Sequence, residues 1–157
     1  MTQEEKQLLL RDISARIPYR LKFFVDNTIP PLPSSEDYKR GEVFSVLTAT
    51  GLDIWEDCIF TEETGMDCVL FSKRPDGEEI QELKPFLRPM SSMTEKENEE
   101  YNGLLFGVCD FTQDTSSLTP VIELTTFFYS HHIDCCGLIE KGLALEAPKD
   151  MYRYEND

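Results

Sequence analysis

Glu82-Leu83-Lys84-Pro85-Phe86-Leu87-Arg88-Pro89-Met90-Ser91-Ser92-Met93-Thr94-Glu95-Lys96-Glu97 is where a strand-like pattern gives way to a helix-like one. Pro85 and Pro89 lack a backbone donor and bias Lys84 and Arg88 towards extended geometry, so neither a helix nor a central strand is expected to run through them. The spacing predicts an extended joint over residues 84–93. Phe86, Leu87, Met90 and Met93 are too apolar for a solvated linker, which suggests that they pin the joint to a core. Thr94 followed by Glu97 forms a capping-box pattern, and the carboxylates of Glu95 and Glu97 suit a positive helix start.

Upstream of the joint, Thr2 and Glu5 repeat the capping-box spacing, and Leu8, Leu9, Ile13 and Ile17 recur near helical spacing. An amphipathic helix over Thr2 to Arg16 follows, ended by Pro18. Leu21, Phe23 and Val25 alternate with Arg20 and Lys22, which predicts a strand over Tyr19 to Val25. Residues 26–40 hold a proline- and serine-rich run that reads as a loop. Three β-rich runs come next: Glu42 to Thr48, Leu52 to Phe60, and Met66 to Ser72. The expected links are Thr50-Gly51, Glu63-Thr64-Gly65 and Pro75-Asp76-Gly77. A short strand over Glu79 to Leu83 completes about five, and Trp55 is the expected bulky anchor of their core.

Downstream, Tyr101, Leu104 and Leu105 share a face of a helix from Thr94 to roughly residue 103, with Gly103 as its weak point. Val108, Cys109 and Phe111 suggest an edge strand. Thr119-Pro120 suits a helix start, Val121, Leu124, Phe127 and Phe128 supply its apolar stripe, and His131 and His132 stand near its end. Asp134 is placed to cap a short further helix with Leu138 and Ile139 inward, Gly142 after its end and Leu143 folding back.

The fold class predicted is α+β: an N-terminal helix, a small antiparallel curved sheet or SH3-like barrel, and C-terminal helices packed on it. At 157 residues the chain suits one domain, divided into a β-rich part (19–83), the joint (84–93), a helical part (94–148) and a mobile tail (149–157). The formal charge of −15 is uneven, with seven Lys/Arg against six Asp/Glu in residues 1–40 and eight against twenty-four beyond. Nucleic-acid phosphates call for a basic stripe, so direct nucleic-acid binding is not expected. No membrane span or signal peptide is evident, and five cysteines without a Cys-x-x-Cys pair read as free thiols in a cytoplasmic protein. Relief of the self-repulsion predicts that stability holds as pH falls towards the pI near 4.4.

The richest cluster of reactive types is His131, His132, Cys135 and Cys136, of which His132 and Cys135 have a zinc-like gap. Adjacent cysteines diverge and no second ligand pair closes the set, so no metal and no cofactor are expected there. A Cys/His nucleophile would draw on the same residues, yet no nucleophile elbow, phosphate loop or metalloprotease motif occurs. Lys84 and Arg88 are the compact basic feature of the joint, and salt bridges to Glu78, Glu79 and Glu82 are their plain reading. With Phe86, Met90 and Met93 they form the candidate surface for a partner protein.

Residues 83–94, then His131-His132-Ile133-Asp134 and Gly137 to Ala147, together with Ala15-Arg16-Ile17-Pro18-Tyr19, are similar to small uncharacterised proteins encoded by phages, prophages and mobile elements of gut anaerobic bacteria. In that family Tyr-Arg commonly stands where this chain has Cys135-Cys136, so the resemblance implies no shared zinc site. It implies a genetic context without a reaction. The leading expectation is a non-enzymatic intracellular accessory or adaptor protein acting by macromolecular binding. The alternatives are an acidic mimic of nucleic acid that inhibits a host protein, and a small metal- or thiol-dependent hydrolase.

Overall fold

The Thr2 hydroxyl accepts from the Glu5 amide at 3.1 Å while the Glu5 carboxylate accepts from the Thr2 amide at 2.7 Å, so the first helix starts where the capping box places it. The computed structural model describes residues 1–25, 46–53, 58–62, 67–73, 76–77, 79–110 and 118–152. Helix α1 spans Gln3–Arg16, and a 3-10 turn at Ile17–Tyr19 takes up the proline that stops it. Leu9, Asp12, Ile13 and Arg16 lie at i, i+3, i+4 and i+7 and are all buried, so a carboxylate and a guanidinium share the helix's inward stripe.

Strands β1 (Lys22–Val25), β2 (Val46–Asp53), β3 (Cys58–Thr61), β4 (Asp67–Val69), β5 (Phe71–Lys73), β6 (Glu79–Gln81), β7 (Leu83–Leu87) and β8 (Leu145–Glu146) form two sheets. One has the order β4-β3-β2-β1-β7-β8, and β5 pairs with β6. Every pairing is antiparallel except β7 with β8, and the larger sheet is open, with β4 and β8 at its edges. The class is α+β, as the pattern predicts, with no closed barrel.

Two expectations, a link at Thr50-Gly51 and a joint at Pro85 that no central strand crosses, fail for the same reason, which is that tertiary pairing overrides local punctuation. Thr50-Gly51 is no turn, because β2 runs through it with a register shift between Ala49 and Gly51. A Cβ at Gly51 would stand 2.9 Å from the Phe60 ring of β3, so the glycine admits an aromatic cover on the neighbouring strand. Pro85 likewise does not exclude a strand. It pairs opposite Phe23 inside β7, and the short outer strand β8 engages only Phe86 and Leu87, leaving no ladder partner beside the proline on that side. The run expected over Met66 to Ser72 is divided between β4 and β5 at Leu70, which is fully buried. Trp55 and the 26–40 loop lie outside the described residues, as do the Glu63-Thr64-Gly65 link, Pro75 and Glu78.

Leu9 and Ile13 meet Leu21, Phe23, Ala49, Ile59, Leu70, Leu83 and Leu87 of the β-rich part, and Leu138, Leu143 and Ala144 close the far side. Helix α2 covers Glu95–Asp110 and α3 covers Thr119–Ser130. The first runs a full two turns beyond the predicted end near residue 103, so Val108 and Cys109 are helical and form no edge strand; Phe111 lies outside the described residues. Gly103 has open space around it, so it weakens the helix through backbone entropy alone. Leu118, one residue before the expected Thr119, occupies the cap position of α3.

After α3 the chain turns without forming the expected short helix. Asp134 still acts as a cap, accepting from the Leu138 and Ile139 amides at 2.9 Å each. Gly142 adopts φ 70°, and the Leu143 amide donates to the Leu138 carbonyl at 2.9 Å, the Schellman closure without its helix. Of the tail expected to be mobile over residues 149–157, 153–157 lie outside the described residues, and the described part is held through Tyr152. Its hydroxyl accepts from the Lys22 amide at 3.0 Å and donates to the Phe86 carbonyl at 2.9 Å, joining β1 to β7.

Candidate functional site

The joint is a structural weld. Phe86 is 7% exposed and meets Phe24 edge-on at 6.3 Å, and Leu87 is fully buried. As a partner-surface residue Phe86 is therefore corrected to a buried one: alternation along β7 places it on the face opposite Leu83 and Leu87, where it packs on Phe24. Arg88 pairs in the backbone with the turn beyond α3, donating its amide to the His132 carbonyl at 2.8 Å and accepting from the Asp134 amide at 2.7 Å. Its guanidinium forks onto both Glu97 oxygens at 2.7 and 2.8 Å, so its carboxylate partner is the capping-box glutamate of α2, where Glu79 and Glu82 were among those expected. That pairing, with the Thr94 amide, holds Glu97 at a pKa of about 2. Lys84 donates to the Gly142 carbonyl at 2.8 Å. Met93 is half-buried, and Met90 remains the exposed apolar side chain of the candidate patch.

The histidines are committed to backbone carbonyls. His131 Nδ1 lies 2.9 Å from the Phe127 carbonyl and its ring packs on Phe127 at 4.5 Å. His132 adopts φ 54°, is fully buried, and donates from Nε2 to the Tyr19 carbonyl at 2.9 Å, while Tyr152 stacks on its ring at 3.8 Å. That bond assigns the proton to Nε2 and leaves Nδ1 as a buried acceptor without a hydrogen-bond partner. Burial, and next the positive Arg16, depress its pKa to about 3, so His132 is a neutral packing element at ordinary pH.

Sequence reasoning missed the group that surrounds this turn. Arg16 donates to both Asp12 oxygens at 2.7 and 2.9 Å, to the Ile133 carbonyl at 2.8 Å and to the Phe128 carbonyl at 3.2 Å. Burial works against its charge, but the Asp12 carboxylate outweighs it and raises the pKa further. The signal was present as an Asp/Arg pair at i, i+4 on the apolar stripe of α1. Asp12, Cys135 and Cys136 bring their ligand atoms within 4.8 Å of one another, and the two thiol sulfurs stand 3.9 Å apart. Neither histidine belongs to that group. Burial first and Cys136 second push the Cys135 thiol up to about 12, the opposite of what a nucleophilic cysteine requires.

A second feature lies where α2 ends and α3 begins. Helix α2 has no buried side chain among its described residues; it rests on α3 through Tyr101, which meets Phe127 at 6.4 Å and Phe128 at 5.7 Å. Its C-terminal turns nevertheless carry Leu105 and Phe106, and the start of α3 carries Leu118, Val121 and Ile122. Phe106 is 69% exposed, Leu118 66% and Ile122 61%. From Glu97 to Glu140 the chain contains no Lys or Arg, so this apolar end is set in a wholly acidic stretch of sequence. No helix among the described residues is long and apolar enough to cross a membrane. No family model, curated protein or solved structure matches the chain.

Proposed function

We propose that this chain is a non-enzymatic adaptor that binds a partner protein through the end of the α2–α3 hairpin. The observation that carries the reading is a helix of sixteen residues that buries none of its described side chains and exposes Leu105 and Phe106 at its end, where a Cβ on Gly107 would stand 3.8 Å from Pro120, next to the exposed Leu118, Val121 and Ile122 in the sequence at the start of α3. Exposed large apolar residues in one place mark interaction surfaces more often than chance exposure does. The charge selects the occupant. A second copy would bring a chain of net charge −15 against its like, and the hairpin's sequence lacks any cation beyond Lys96 to relieve the repulsion. A segment combining apolar side chains with Lys or Arg, such as a basic amphipathic helix, matches both properties of the surface. The intracellular setting, and the phage or mobile-element origin that the resemblance implies, belong to the same proposal.

The test uses the full chain and a synthetic Leu/Lys peptide whose apolar residues fall at helical spacing, with an isomer of the same composition in scrambled order. Saturable binding of the first is expected, at least tenfold tighter than of the second, and weakened at least tenfold by the double substitution Phe106→Ser and Ile122→Ser. Equal affinity for the two peptides, or no effect of the substitutions, would show charge attraction alone and end the proposal. So would a self-association in sedimentation that the same substitutions abolish.

A further inference from the structure

We infer that Cys135 and Cys136, with Asp12, form a chelating site for a soft divalent cation of the zinc and cadmium class. The spacing of the sulfurs is the first argument. A zinc–thiolate bond of about 2.3 Å and a tetrahedral angle put neighbouring sulfurs about 3.8 Å apart, and the two thiols already stand at 3.9 Å. A disulfide is the competing use of two cysteines, and here it is disfavoured. Its Cα atoms usually lie about 4.4–6.8 Å apart, whereas neighbours across a trans peptide are held at about 3.8 Å; the chain contains no cis peptide bond among its described residues.

Asp12 supplies the third donor. Its carboxylate offers about four lone-pair positions, and Arg16 takes one on each oxygen. The remaining positions belong to an oxygen within 4.8 Å of both sulfurs. Arg16 does more than orient this carboxylate, because it also completes the charge balance. Two thiolates neutralise the divalent ion and Asp12 neutralises Arg16, so the filled cluster leaves no net charge beside the buried Asp12–Arg16 pair. Access is open, since Cys135 is an exposed residue and Cys136 is half-buried. Three protein donors leave the fourth tetrahedral position for water. On binding, each Sγ–H bond is replaced by a bond from sulfur to the ion, and two protons pass to solvent.

Titration of the reduced full chain with cadmium, followed by the ultraviolet thiolate-to-metal charge-transfer band, tests the site. One equivalent is expected to bind, with affinity falling as the pH is lowered and with a rise in melting temperature on loading. Cys135→Ser and Cys136→Ser should each weaken binding at least a hundredfold, while Cys109→Ser leaves it unchanged. Asp12→Asn should weaken it about tenfold; because that residue is buried beside Arg16, its fold is checked by circular dichroism, and the exposed Cys135→Ser carries the decision if it is lost. Binding that survives both vicinal substitutions, that disappears with Cys109→Ser, or that never gives the charge-transfer band would overturn the assignment. Peptide binding at the hairpin is measured separately and stands or falls without it.

Discussion

Helix α1 and helix α2 are similar in length and both start on a Thr-x-x-Glu capping box, yet they come to opposite ends. The first buries Leu9, Asp12, Ile13 and Arg16 completely against the sheet and the turn after α3, whereas the second buries no described side chain and keeps its most apolar turn in solvent. A shared start signal therefore says where a helix begins and nothing about what it is for. In α1 the inward stripe is satisfied within the chain. In α2 the stripe beyond Tyr101 is left over, and a helix of that kind is stabilised by its cap, by Arg88 on Glu97 and by two aromatic contacts, with capacity to gain more from outside.

The comparison breaks first at Arg16. Replacing it with alanine leaves Asp12 as an uncompensated buried charge and takes one of two donors from each of the Phe128 and Ile133 carbonyls, which keep the Ile133 and Cys135 amides, so a loss of about 3–5 kcal/mol is expected in denaturant melts. A loss under about 1 kcal/mol would show that α1 is not anchored as described. Leu9→Ala should follow at about 2–5 kcal/mol, while Ile122→Ala should lie within about 0.5 kcal/mol of the parent, as surface changes do. Similar costs at the two positions would erase the distinction between the helices.

Acid sharpens it further. The folded pKa of His132, about 3, lies below its ordinary value near 6.5, so the unfolded chain binds the extra proton between them. Stability from this residue is thus complete above about pH 6.5 and declines as pH falls towards 3, by at most about 1.4 kcal/mol per unit. This opposes the expectation from net charge that acid is harmless down to the pI. His132→Asn tolerates the positive φ and should flatten the decline between about pH 6.5 and 5; an unchanged slope would assign it to other groups. The smallest effect belongs to Glu97. Its folded pKa is depressed, so its contribution is present above about 4.5 and lost as pH falls towards 2. Glu97→Gln should cost about 1 kcal/mol at neutral pH, detected as faster amide exchange at the start of α2.

What was legible in the sequence followed local rules. Both capping boxes, the proline stop after Arg16, the buried Leu9 and Ile13, and the Asp134 and Gly142 turn chemistry depend on residues within a few positions of one another. The misreadings share a cause, since each depended on a partner distant in sequence. Pro85 sits in a strand because β1 lies beside it, Gly51 continues a strand because Phe60 needs the space, and Tyr152 is held because its hydroxyl accepts from the Lys22 amide and donates to the Phe86 carbonyl. The candidate surface moved for the same reason: Phe86 is buried against Phe24, more than sixty positions away in the sequence. The dithiol was visible as Cys135-Cys136, but its third donor, Asp12, arrives only through the fold.

Hydrogen exchange of the full chain, alone and with the basic amphipathic peptide, tests most directly whether the α2–α3 hairpin is the surface left open for a partner. Without peptide, the amides of α2 should exchange through local opening well before those of α1 and β1, and with peptide the slowing should be greatest at residues 104–109 and 118–122. Equal protection of α1 and α2 in the free chain, or slowing by the peptide spread over the sheet and absent from the hairpin, would contradict it.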